Sequence, residues 1–206
     1  MNQRKEDHLT TMKDLNATIK LTFKSPKFST NIDKELRPMS IQDTDFFEQE
    51  ILRQFFINMN RVVKFDFAAY PEDRVNDNDK KFTPLHYHAV AKTENDKKFI
   101  KIAAKKYAAV MRSKCQQHFS NFIMPIDPLY IEVLNQNEPT SYEEYCLKHY
   151  RPEVRLLTND DFKTKPCVPT SMCSLSREVS PRVKLTQQTR FLDEDTLNYL
   201  RQIAAD

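Results

Sequence analysis

Glycine and tryptophan are absent from the 206 residues. Without glycine there can be no P-loop, no G-x-G-x-x-G dinucleotide turn and no G-x-S-x-G nucleophile elbow, because each brings the backbone closer than a Cβ allows. Turns that need positive φ must then use Asn or Asp, and the chain has runs of both at Asn76-Asp77-Asn78-Asp79, Asn135-Gln136-Asn137 and Asn159-Asp160-Asp161. Cysteine is scarce and unpatterned. Cys115, Cys146, Cys167 and Cys173 contain no C-x-x-C pair, so the expectation is free thiols in a reducing compartment rather than a disulfide framework or zinc ribbon. Long apolar runs are missing as well. No window reaches the roughly 18 residues of a membrane span, and Met1 to Asp14 is too polar for a secretion signal. A cytoplasmic protein, of a bacterium or a host cell interior, is expected, with no membrane partner.

Fourteen Phe and eight Tyr supply the large side chains of a core, and the length suits one domain. The net charge of +3 says little about partners. Lysines do cluster, with Lys97, Lys98, Lys101, Lys105, Lys106, Arg112 and Lys114 close together. Such a run reads either as a solvated helix face or as a surface that contacts phosphates.

Periodicity divides the chain. Residues 1–16 form a polar lead-in. Ala17–Phe23 alternates as a strand, with Ile19, Leu21 and Phe23 on one face. An amphipathic helix is expected from about Thr44 to Met59, capped by Asp43 or Thr44. Arg61–Tyr70 is a second strand, ended by Pro71, and Glu72 to Pro84 is a charged connector. Leu85–Lys92 is a third strand, Phe99 to about Phe119 a long helix, and Leu129–Leu134 a fourth strand. Ser141-Tyr142-Glu143-Glu144 is a capping box that opens a short helix through about His149. Residues 158–190 are linker-like, and residues 191–206 form a C-terminal amphipathic helix. The fold expected is α+β, with residues 17–157 making a central, largely antiparallel sheet flanked by helices.

Two constellations carry chemistry. In His86-Tyr87-His88 the two imidazoles lie at i and i+2 of a strand and project from one face, where they could share a metal ion. Tyr87 and Val90 are expected to point the other way. In Tyr145-Cys146-Leu147-Lys148 the helical spacing places the Lys148 ammonium beside the Tyr145 phenol, which favours phenolate and could hold a phosphate. Of the eight tyrosines, Tyr145 alone has Lys three positions on. The structural reading of both is plainer: partly buried histidines, and a tyrosine packed on a helix surface.

In this order, Leu85-His86-Tyr87-His88-Ala89-Val90 and Tyr145-Cys146-Leu147-Lys148 resemble the HUH superfamily of single-strand DNA endonucleases, the rolling-circle replication initiators, relaxases and related transposases. The resemblance covers about residues 61–150, and the glycine that often follows the tyrosine motif is missing. It implies a Mn²⁺ or Mg²⁺ ion held by His86, His88 and an acid. Asp66 is the first candidate for that acid, with Glu72, Asp73 and Glu132 as alternatives. It implies Tyr145 as the nucleophile, assisted by Lys148, and a 5′-phosphotyrosine intermediate on single-stranded DNA. Lys98, Lys101, Lys105, Lys106 and Arg112 would guide the DNA backbone, and the C-terminal helix could dock on a host or replication protein. The rival readings are a non-catalytic viral or mobile-element protein that binds nucleic acid or a host protein, and a metal phosphoesterase that works without covalent tyrosine.

Overall fold

Alternation builds the sheet. In β1 (Ile19–Lys24) Ile19, Leu21 and Phe23 are buried, while Lys20, Thr22 and Lys24 face the other way and are only partly covered. The structure, a computed structural model, describes residues 2–30, 35–75, 82–134 and 141–163. They belong to a compact unit, Met1–Cys167.

The other elements follow in chain order. A helix α1 (Gln3–Asp14) precedes β1, and β2 (Lys27–Ser29) and β3 (Arg37–Pro38) follow it. A helical run then begins with a 3-10 turn at Ile41–Asp43, continues through α2 (Thr44–Phe46) and a π-helical stretch at Phe47–Leu52, and ends in α3 (Arg53–Asn60). Two long strands, β4 (Phe65–Val75) and β5 (Phe82–Thr93), lead to helix α4 (Asp96–His118). The chain closes with β6 (Asn121–Ile123), β7 (Leu129–Val133), α5 (Tyr142–Cys146), β8 (Leu157–Thr158) and α6 (Asp160–Lys163). This is the α+β class expected. The main sheet is antiparallel throughout, in the order β7-β1-β5-β4-β8, and a smaller sheet has the order β3-β2-β6.

The two faces of the main sheet bury different partners. On one, Phe23 packs edge-on against Phe55 and Tyr107, Phe65 meets Phe99, and Tyr87 stacks on Phe47. This face is covered by the Phe47–Asn60 helical run and α4. Tyr87 is fully buried there, and its hydroxyl donates to Glu48 Oε1 at 2.7 Å. On the other face Ala68, Tyr70 and Val90 pack with Met12 of α1 and with Cys146 and Leu147 beside α5. Val90 therefore shares the face of His86 and His88, as its even spacing from them requires, and does not oppose them.

Several expected boundaries shift. The polar lead-in carries a docked helix: Asn2 caps α1, and Met12 is fully buried against the sheet. The helix expected at Thr44–Met59 starts earlier, where Ser40 and Asp43 form a reciprocal capping box. Pro71 does not end its strand, and β4 runs on to Val75. β8 covers β4 only at Ala68 and Ala69, so Pro71 sits where one side of β4 is an edge and a missing N–H is tolerated. Residues 158–163, expected to open the linker, are part of the fold: Thr158 pairs with Ala68, and Phe162 of α6 is buried. The rest of the linker and the C-terminal helix at 191–206 lie outside the described residues. Asn16, with φ of 49°, is the positive-φ position among the described residues, an Asn as the lack of glycine requires.

Candidate metal and tyrosine site

The site grows from the even-numbered residues of β5. His86 stands opposite Lys24 on β1 and Glu72 on β4, and His88 stands opposite Thr22 and Tyr70. Three neighbouring strands thus present Lys24, His86 and Glu72 in one row across the sheet. The His86 Nδ1–H donates to the Pro84 carbonyl at 2.9 Å, which leaves Nε2 of the neutral ring as a bare lone pair. That Nε2 is 3.2 Å from His88 Nε2, while His88 Nδ1 lies 3.3 Å from Thr22 Oγ1. Glu72 Oε2 is 3.6 Å from His88 Nε2 and has no hydrogen-bond partner.

Glu72, His86 and His88 each offer a ligand atom, and these atoms all lie within 4.8 Å of one another. Two donors on one ion at about 2.1 Å would be roughly 3.0–3.5 Å apart at octahedral to tetrahedral angles, close to the two measured separations. Facing imidazole nitrogens and an orphaned buried carboxylate oxygen are what a cation between them would satisfy. Burial works to raise the Glu72 carboxyl, but His88, His86 and Lys148 outweigh it and hold it down at about 2, so it is ionised. His86 is pushed below its ordinary value, chiefly by burial, with His88 and Lys148 adding to this against the Pro84 bond and Glu72. Both settings favour the ligand forms, carboxylate and neutral imidazole. The other carboxylate oxygen, Oε1, is steadied by Arg74 Nε at 3.5 Å, and Arg74 in turn donates from Nη1 to His149 Nε2 at 2.9 Å.

Tyr145 arrives from the far side. Ser141 caps α5 by accepting from Glu144 N, and α5 is brief, its turn closing with Lys148 N donating to the Tyr145 carbonyl at 3.2 Å. Cys146 and Leu147 anchor this turn in the sheet core, and the alternation leaves Tyr145 and Lys148 outside. The Tyr145 ring meets the His88 ring edge-on at 5.0 Å and stacks on Tyr142 at 5.6 Å. Lys148 Nζ sits 3.5 Å from the Tyr145 ring centroid, over the face of the phenol. Tyr145 is 41% exposed, open to a substrate.

The structure therefore brings together His86, His88, Tyr145 and Lys148, and places two other groups of candidates away from them. Asp66 is on the same face of β4 as Glu72 but six residues away, about 20 Å along an extended strand. It pairs in register with Lys92 and accepts from Asn159 instead. Glu72 takes its place. Asp73, an alternate, is occupied by Ile41 N and Arg151, and Glu132 by Lys20 and Tyr130. The second group is Lys98, Lys101, Lys105, Lys106 and Arg112. They ride on α4, which packs its Phe99 and Tyr107 against the face of the sheet opposite the histidines. Lys98 Nζ is also engaged, donating to the Val62 carbonyl at 2.8 Å. The basic residues that do line the histidine cleft are Lys24, Arg74 and Lys148. No sequence motif marks the first two; only strand register finds them. Of the four cysteines, Cys115 and Cys146 are free and buried, and burial pushes the Cys115 thiol up to about 12, so neither is a ligand here. Cys167 and Cys173 lie outside the described residues.

No family model matches the chain, and no curated protein or solved structure matches it.

Proposed function

We propose that the chain is a metal-dependent tyrosine endonuclease that nicks single-stranded DNA, as in replication initiation of a phage, virus or plasmid. One observation carries this reading: an exposed phenol with a lysine over its ring lies against one imidazole of a two-histidine, one-carboxylate cluster. A general metal phosphoesterase has no need of that tyrosine, and a purely structural histidine pair leaves Glu72 Oε2 without a partner.

The chain's own residues divide the work. Tyr145 is the nucleophile: its phenolic oxygen forms the bond to phosphorus, the bond from phosphorus to the 3′ oxygen breaks, and a 5′-phosphotyrosine and free 3′ hydroxyl result. The phenolic proton passes to solvent and the leaving 3′ oxygen takes one up. Lys148, over the Tyr145 ring, draws in the phosphate by charge. His86, His88 and Glu72 would hold the ion, Mn²⁺ or Mg²⁺ as the resemblance implies, and of the two the pair of imidazoles suits Mn²⁺ better. When bound, it would add positive charge beside the non-bridging phosphate oxygens as a Lewis acid. Arg74, itself held by His149, orients Glu72, and Thr22 and Pro84 orient the two imidazoles. Single-stranded DNA is the partner. No helix among the described residues is long and apolar enough to cross a membrane, and the working compartment of such an enzyme is a cell interior that replicates DNA.

The test is incubation of the protein with Mn²⁺ and labelled single-stranded oligonucleotides carrying varied hairpins. Wild type should give a band that stays shifted after denaturation, and Tyr145→Phe should give none. Cleavage without any shifted band would support hydrolysis by water instead, and neither product would leave a non-catalytic binding protein.

A further inference from the structure

Charge is unevenly shared along the chain. Residues 53–64 and 97–118 hold ten Lys and Arg and no Asp or Glu, so against the +3 of the whole chain the remaining residues together carry −7. The fold gathers these two segments into one layer. They form α3 with the turn after it and nearly all of α4, and Phe55 of α3 meets Tyr107 of α4 edge-on at 5.5 Å, over the sheet face away from the histidines. Lys97, Lys101, Lys105 and Arg112 fall within about 80° of one another around α4 and span about 22 Å of its length, an outward line of positive charge. All four are exposed, and none has an ion-pair partner among the described residues. Two other cations of the layer are engaged, Lys98 by the Val62 carbonyl and Lys114 by Glu50. Beside the line, Gln54 and Asn58 of α3 and Lys106, Ser113 and Gln117 of α4 border a groove of about 420 Å³.

Like charges gathered in one layer repel one another, which costs stability until a polyanion meets them. Duplex DNA is a rigid polyanion with a charge about every 1.7 Å of its axis, and a straight helix can lay several cations along it at once. A single strand is a poorer match. It binds through rings that stack on its bases, and Phe55, Phe99 and Tyr107 of this layer are buried in the core. We infer that the α3–α4 face binds the phosphate backbone of duplex DNA without reading its sequence. The line on α4 supplies charge, and the amides and hydroxyl of the groove donate to phosphate and sugar oxygens. That the polyanion is DNA rests on the nickase reading, but the face is built from other residues. The protein then grips duplex on one side of the sheet and works on single strand at the other, an arrangement suited to a junction between the two.

The test uses the full chain in EDTA, so that no nicking enters, with two fluorescent 20-bp DNA duplexes of unrelated sequence and anisotropy as the readout. Wild type should bind both alike, with log affinity falling against log salt at a slope of about −4, the counterion release of four to five phosphate contacts. Lys101→Ala/Lys105→Ala should flatten that slope by about 2 and weaken binding roughly a hundredfold at 0.1 M salt. Lys5→Ala/Lys13→Ala removes the same charge from α1, on the histidine side of the sheet, and should leave the slope unchanged. Thermal melts check that both variants are folded. No duplex binding by wild type, a preference for one duplex, or equal losses in the two variants would overturn the inference. So would tighter binding of poly-glutamate, which marks an acidic protein as the partner, or of a single strand through Lys101 and Lys105. The adduct assay judges the nickase reading separately: an adduct without duplex binding removes this face alone, and duplex binding without an adduct removes the nickase alone.

Discussion

Replacing Glu72 by Gln tests the metal cluster before any DNA is added. The His88 nitrogen already stands at separations from His86 and Glu72 suited to one shared ion. If the ion binds at about 10 μM, 1 mM Mn²⁺ is about 100 times Kd and stabilises the native state by about 2.7 kcal/mol. For a domain of this size that raises Tm by roughly 5–10 °C. Glu72→Gln keeps the shape but exchanges an anionic oxygen for a neutral amide, and the rise should fall below about 2 °C. Asp66→Asn should keep the full rise, because that carboxylate lies at the other end of β4. Thermal melts followed by circular dichroism, each variant against its own EDTA control, decide the matter. A full rise in Glu72→Gln, or its loss in Asp66→Asn, would refute the cluster as drawn.

Other consequences reach the rest of the fold. Lys148→Ala should slow adduct formation by roughly ten- to a hundredfold, with Lys148→Arg recovering part of it, in a timed gel assay with Tyr145 intact. Tyr87→Phe strands Glu48 Oε1 in the core and should cost about 1–3 kcal/mol by urea denaturation. Met12→Ala should cost about 2–4 kcal/mol in the same experiment, whereas a loose N-terminal tail would register no change. Glu50 gives a pH dependence. The His118 hydrogen bond, with Lys114, outweighs burial and holds it at about 2, below its ordinary 4.5. Its contribution is therefore complete above pH 4.5 and fades as pH falls toward 2, by about 1 kcal/mol once solvent screening is allowed for. Unfolding free energies from urea titrations at pH 7 and pH 3 should differ less in Glu50→Gln, by roughly half of that amount, because pH 3 is still above the folded value.

How far the sequence disclosed all this depends on the residue. Parity along a strand placed His86 and His88 on one face, and helical spacing with a Ser141 cap placed Tyr145 beside Lys148; both are local facts. The third ligand is not local. Asp66 and Glu72 have the same parity, so alternation cannot choose between them, and only the register Glu72↔His86 does. Pro71 hid that register, because proline reads as the end of a strand unless it is known that β8 stops short of it. The basic run on α4 is no guide to the cleft for the same reason: its clustering is visible in one dimension, but which face of the sheet it covers depends on where Phe99 and Tyr107 pack. The N-terminal segment reads as polar because one buried side chain, Met12, is enough to hold an otherwise polar helix in place. Lys24 and Arg74 carry no motif and become visible only as neighbours of His86 and Glu72.

The most direct measurement is tandem mass spectrometry of the wild-type protein after reaction with Mn²⁺ and single-stranded DNA, digested with protease and nuclease. A nucleotide-5′-phosphate mass on the peptide containing Tyr145, absent when EDTA replaces the metal, is the predicted result. The same mass on another tyrosine, or DNA cleaved with every tyrosine unmodified, would contradict the account.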